Sequence, residues 1–246
     1  MRFGDMLGYT PPDVILSALT ADRRSAVTIA LQEAAKTYPI VLSGLDQHQA
    51  HESPSTRSHV FDVVDLVESF CDRFAISPQE RDFRIAGAVL HDIGKTELDP
   101  ALFEVTEKVP EDDPRKTIIR SHALRGYLWV KERTKNEGEE EREEFSQADL
   151  AYFPYGHHLP EYPDQNAIDA VFIPPHMERC IVELAVADKI AAQAVPRPYR
   201  KWPIIRSEVK TNILKILPGE APLIDVFLDL HPRYKTQPPE YGEDVV

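Results

Sequence analysis

The chain has 246 residues and a 42% apolar content, ample for a hydrophobic core in one large or two small domains. Its 41 acidic and 28 basic residues leave a formal charge of −13, which argues against bulk nucleic-acid binding, because that affinity comes mainly from neutralising phosphates with Lys and Arg. The only two cysteines, Cys71 and Cys180, sit among apolar helix-like residues and argue against a disulfide framework or a Cys-based zinc site. With no apolar signal region at the N-terminus and no run approaching eighteen apolar residues, a soluble cytoplasmic protein with no membrane association is expected.

Taken in order, nearly every segment reads as helix. Residues 11–38, PPDVILSALTADRRSAVTIALQEAAKTY, carry apolar positions at helical spacing, with prolines at the start where a missing N–H is harmless. YPIVLSGL at 38–45 reads as a short strand, and DQHQAHESPS after it as a polar loop holding His48 and His51. Val60, Val63, Val64, Val67 and Phe70 form a stripe close to i, i+3, i+4, i+7. SPQERDFRIAGAVLHD begins with Ser77 as cap, Pro78 in the first turn and Glu80 as the capping-box acid, and Gly94 fits the left-handed residue that closes such a helix. DDPRKTIIRSHALRGYLWVKERT repeats the scheme from Asp113 and Pro114 as one helix.

The acidic run NEGEEEREEF, 136–145, reads as an exposed linker or helix start. SQADLAYFPYGHH should end or kink near Pro154. IPPHMERCIVELAVADKIAAQAV is a strongly apolar helix, and RPYRKWPIIR, 197–206, is the one clear cationic segment. SEVKTNILKIL and DVFLDL are weaker helices before a frayed tail. The expected fold is all-α: an N-terminal helical extension over 1–54, a core over 55–195, and C-terminal loop and helices over 196–246 packing on that core.

One feature departs from ordinary core formation. His59, His91-Asp92, His122, His157-His158 and Asp188 fall on five successive helical segments, each among residues that argue for burial. A lone histidine on an apolar helix is usually a satisfied core residue, but five coincidences call for a common cause. Neutral imidazoles and carboxylates suit divalent ions: Mn²⁺ or Fe²⁺ first, with Zn²⁺, Mg²⁺ or Ni²⁺ also compatible. An adjacent His-Asp pair can serve two ions at once, and two ions roughly 3.5–4 Å apart can clamp both oxygens of an in-line displacement.

At these residues the chain resembles the HD-domain metal-dependent phosphohydrolases. The likeness spans about 55–195, with H…HD…H…HH…D in order, and is closest in HDIGK and ELAVADKI. The double histidine most resembles the HD-GYP branch and the HD nucleases of CRISPR effector systems. The resemblance implies a single HD-type helical bundle and two metal ions. One ion would be held by His59, His91, Asp92 and Asp188, the second by Asp92, His122, His157 and His158, with Asp92 shared and catalytic. Either of His157 and His158 stands open as a ligand or as a hydrogen-bond partner of one. Lys95 would meet the substrate phosphate, or else only cover the C-terminal end of its helix.

The departures narrow the substrate. HHLPEYPDQ lacks the Gly-Tyr-Pro motif and the following Glu-Arg pair, so a cyclic dinucleotide is not carried over. Ser55 stands where three-metal members place a Glu, which favours two ions. Arg125, three residues after His122, lies nearer its helix face than Arg120, two before, and is the better phosphate contact. His48 and His51 lie over or beside the site in their loop, His176 reads as a surface residue, His231 as part of a turn before Pro232, and Trp129, Trp202 and the tyrosines of AYFPY as core, with Tyr155 near enough to His157 in sequence to line a pocket. The expected partner is a small phosphorylated or nucleotide-like substrate, hydrolysed as a phosphodiester or similar phosphoester; oligomeric state is not legible. The alternatives are an HD-fold mixed-valence di-iron oxygenase, a single-strand nuclease, and a non-catalytic metal-binding sensor.

Overall fold

The helix starts are set by local chemistry. Ser77 accepts a hydrogen bond from the Glu80 amide at 3.3 Å, with Pro78 in the first turn, and Asp113 does the same for Arg115 at 2.8 Å ahead of Pro114. Each cap satisfies an amide that the helix itself cannot, worth about 1 kcal/mol. A computed structural model describes residues 21–50, 54–103, 109–135, 145–162, 171–194 and 204–235. They form α1 (Ala21–Thr37), α2 (Ile40–Ala50), α3 (Pro54–Arg73), α4 (Pro78–Leu90), α5 (Pro114–Arg120), α6 (His122–Thr134), α7 (Tyr152–Gly156), α8 (Pro175–Ala194), α9 (Arg206–Leu214), α10 (Ala221–Leu230) and α11 (Pro232–Lys235). Short 3₁₀ turns lie at Ile93–Glu97, Pro100–Leu102 and Gln147–Ala151. No strand occurs among the described residues, and none of their helices is long and apolar enough to cross a membrane.

Helix α4 is the axis of this all-α bundle. Every residue from Phe83 to Leu90 is buried, so the helix is covered on all sides, by α1, α2, α3, α7 and α8. Each large apolar side chain enclosed in this way stabilises the fold by about 1.5–3 kcal/mol. Val27 and Leu31 of α1 and Val41 of α2 join the same core as Phe83, Val89 and Ile190. Arg23 of α1 also donates to Asp65 and Glu68 of α3 at 2.8 and 2.6 Å. Cys71 and Cys180 are both free and buried, and burial pushes their thiols up to about 12 and about 11.

Three expectations are corrected. Residues 38–45 are not a strand: Ile40, Val41, Gly44, Leu45 and His48 are buried on one face of α2, a period of 3.6 that the short β-branched run concealed. The segment from Pro114 to Thr134 is two helices, because it breaks at Ser121, whose amide reaches back to both Thr117 and Ile118 carbonyls. That break makes His122 the first residue of α6. Gly94 is not left-handed; no described glycine has positive φ. A Cβ at 94 would stand 2.0 Å from the His122 carbonyl oxygen and 2.5 Å from the Gly126 amide nitrogen. Glycine is needed there so that the turn after α4 can press against the first turn of α6. At Tyr152 a 3₁₀ turn gives way to α7, which runs through Pro154 and ends at Gly156; the proline is tolerated because it sits in the first turn of the helix.

Candidate metal centre

Five elements deliver the seven residues. His59 projects from α3, His91 caps the C-terminus of α4, and Asp92 follows with φ −102° and ψ 10°. This is the bridge region, where sharp reversals out of a helix are made. His122 opens α6, His157 and His158 follow α7, and Asp188 lies in α8. All are buried except His158, which is half-buried.

The ligand atoms gather into two groups, each with its members within 4.8 Å of one another: His59, His91 and Asp188 in one, and Asp92, His122, His157 and His158 in the other. The Asp92 carboxylate lies between them. Its Oδ2 is 3.4 Å from His91 Nε2 and 3.9 Å from His59 Nε2, while Oδ1 is 3.4 Å from His122 Nε2 and 3.6 Å from His157 Nε2. His59 Nε2 is 2.8 Å from Asp188 Oδ1, and Lys95 Nζ donates to Asp92 Oδ2.

Backbone carbonyls orient three of the rings. Nδ1 of His91, His122 and His157 donates to the carbonyls of Ala88, Ile119 and Pro154 at 2.7, 2.6 and 2.9 Å. A carbonyl only accepts, so Nδ1 carries the proton and Nε2 turns its lone pair toward the centre. There the Nε2 atoms of His91, His122, His157 and His158 and the Oδ1 of Asp92 are buried without a hydrogen-bond partner. Each such atom costs about 1–3 kcal/mol of unrecovered desolvation, so five converging on one space is not a stable way to finish a core. Lone pairs facing lone pairs are what a cation satisfies, and three histidines with a shared carboxylate suit divalent first-row ions.

The protonation states agree. Burial pushes the imidazole of His122 down to about 3, and lowers those of His59, His157 and His158. His91 is the exception: burial acts downward, but the Asp92 and Asp188 carboxylates raise it. Burial would lift Asp92, yet Lys95, His91 and His157 hold it well below the usual carboxylate range, and His59 does the same for Asp188.

Other sequence expectations divide. Lys95 stands against Asp92. Arg125 lies on the exposed side of α6, donating to Ser121 Oγ at 3.1 Å, with Glu97 at 3.9 Å. Arg120, the arginine set aside from the sequence, has its guanidinium carbon 5.4 Å from the centroid of the Tyr162 ring, which itself stacks on His158. His48 is not in a loop: buried in α2, it donates from Nε2 to the Val89 carbonyl at 2.9 Å, satisfying an acceptor in the last turn of α4. His176 is exposed, His231 caps the end of α10, and Trp129 is buried in the core. The Tyr155 hydroxyl accepts from the Val171 amide at 2.9 Å. His51, Trp202, the side chain of Ser55, residues 136–144 and most of the 197–206 segment lie outside the described residues.

Sequence reasoning missed Tyr162, Glu161 and Lys189. Lys189 Nζ donates to Glu161, and the Tyr162 ring is 4.4 Å from that of His158 and 6.0 Å from that of His122. The available signal was a lysine directly after Asp188 on an otherwise apolar stretch, where a charge must find a partner. The chain matches no known family model and no curated protein sequence. The likeness to HD-domain phosphohydrolases therefore rests on the ordered ligand set itself.

Proposed function

We propose that the protein is a metal-dependent phosphohydrolase of HD type, cleaving a phosphodiester or related bond in a small, nucleotide-like substrate. The observation that carries this reading is the Asp92 carboxylate set between two groups of ligand atoms, one oxygen toward each. Two divalent ions, when bound there, supply an activated water and neutralise charge at phosphorus. His59, His91 and Asp188 would hold one, His122, His157 and His158 the other, and Asp92 both. Lys95, half-buried beside Asp92, would place its ammonium against a phosphate oxygen and offset the negative charge that grows there during displacement. The backbone-anchored imidazoles keep their Nε2 atoms aimed without rearrangement, so orientation is built in before substrate arrives.

The test is metal analysis of the purified protein, followed by a panel of nucleotides, cyclic dinucleotides, single-stranded DNA and a generic phosphodiester with Mn²⁺ or Fe²⁺. Asp92→Ala should reduce activity to background and lower metal content while helix content by circular dichroism is unchanged. Full activity with fewer metals would sink the two-metal mechanism. Iron-dependent oxygen consumption with a polyol or phosphonate would replace hydrolysis by an oxygenase, and tight metal binding without turnover of any phosphoester would leave a sensor.

A further inference from the structure

Within the candidate centre one imidazole is held differently from its neighbours. His91, His122 and His157 each anchor Nδ1 on a carbonyl three residues back. Among the described residues no hydrogen bond performs this for His158, although its Nε2 is buried and unpartnered like theirs. Its ring is confined by faces instead. His157 lies 3.9 Å away at 44° on one side, and Tyr162 stacks at 4.4 Å and 26°. Arg120 caps the stack from above the Tyr162 ring.

The segment that carries Tyr162 is itself pinned. The Glu161 and Tyr162 amides both donate to the His158 carbonyl, at 2.8 and 3.3 Å, folding the chain back on the histidine. Glu161 then receives Lys189, a buried ammonium directly after Asp188 in α8. The clamp therefore ties the turn after the double histidine to the helix that supplies a ligand to the other group.

We infer that Tyr162 is a positioning residue that aims His158 at the second metal by stacking, in place of the carbonyl anchor used by the other histidines, with the Lys189–Glu161 pair holding Tyr162 in register. The inference rests on the two-metal reading above. A free imidazole on two rotatable bonds has broad freedom about its second torsion, and a flat aromatic face removes most of it without consuming a ring nitrogen. The ring, not the hydroxyl, performs this role.

Titration of the metal-free full chain with Mn²⁺ by calorimetry, and with Co²⁺ by visible absorption, separates the possibilities. Wild type should take up two ions. Tyr162→Leu, which stays apolar but has no ring, should bind one of them about 10–100-fold more weakly and the other nearly as before, the range seen when ligand-orienting partners are removed. The Co²⁺ spectrum of that ion should change as its coordination loosens. Tyr162→Phe should match wild type. Glu161→Gln, whose amide oxygen can still accept from Lys189 but carries no charge to hold it, should weaken the same ion by at least about threefold with helix content by circular dichroism unchanged. Unchanged affinities in Tyr162→Leu or Glu161→Gln would overturn the inference, as would a loss in Tyr162→Phe equal to that in Tyr162→Leu. Fewer than two ions in wild type would overturn the two-metal reading itself, an outcome read before any variant is made.

Discussion

Two buried polar clusters join the same pair of helices, α4 and α8, and they are built on opposite principles. In the first, Arg84 donates to Glu183 at 2.9 Å, and Glu183 also accepts from Arg179 at 3.0 Å. Opposite charges meet and are satisfied within the protein, Arg84 lying also 3.8 Å from Glu80 and Arg179 donating onward to Glu220 at 3.2 Å. In the second, further along both helices, the Nε2 atoms of His91, His122, His157 and His158 converge with Asp92 Oδ1 without a partner, and only His59 with Asp188 and Lys95 with Asp92 are paired. Both clusters cost desolvation, but the second recovers it within the protein only in part. A core that must merely be polar is completed by a partner side chain; one that must bind a cation is left complementary to something that is not protein.

That contrast can be broken at several points. The largest expected stability effect is in the closed cluster: Glu183→Ala leaves the Arg84 guanidinium buried and should cost about 3 kcal/mol in urea unfolding, while the metal stoichiometry is unchanged. A double substitution, Arg84→Met with Glu183→Leu, should return most of that loss; a sum of two large penalties would show that the pair is not a unit. The open cluster should respond to ligand instead. Mn²⁺ at a hundred times its Kd should stabilise the chain by about 2.7 kcal/mol for each ion bound, roughly 5–10 °C in melting temperature per ion for a domain of this size. Asp92→Asn should abolish that response and Glu183→Ala should retain it, so equal responses would erase the distinction between the clusters.

Gly94→Ala should act on both fold and site. Its Cβ meets backbone, not a side-chain tip that could move aside, so about 1–3 kcal/mol of stability and some metal affinity should be lost together as α6 is displaced. A variant of wild-type stability would mean that α6 is free to shift. The smallest effect is on acid stability of the metal-free protein. Burial pushes His231 down to about 4 and His122 to about 3, against an ordinary 6.5. Between those values the unfolded chain takes up protons that the folded chain refuses. The contribution of these two histidines is therefore complete above about pH 6.5 and is lost progressively as pH falls toward 4 and then 3. Melting curves of His231→Gln should show a shallower decline across that window; an unchanged slope would remove His231 from the account.

Much of this is legible in the sequence. The caps at Ser77 and Asp113 are local, written within three residues, and both are present, although Glu80, read as the capping-box acid, accepts from the Ser77 hydroxyl at 3.1 Å and not from its amide. Both elements that were misread turned on longer context. Ile40 and Val41 look β-branched in a short window, and only their packing against α4 makes α2 a helix. The break at Ser121 separates two segments whose hydrophobic pattern runs on without interruption. Tyr162 and Arg120 were beyond reach for a related reason: a ring that stacks across four residues of irregular chain follows no period.

By itself the sequence determined that this chain is helical and which seven residues of ligand type stand in order along it. Those follow from composition, spacing and capping, all of which act between near neighbours. Only the tertiary structure decided that the seven converge, that one Asp92 oxygen faces each group, and that Gly94 is demanded by the backbone of α6 and not by a turn. Each of these is a distance between segments far apart in the chain, set by how helices pack around α4, and no local rule carries that information.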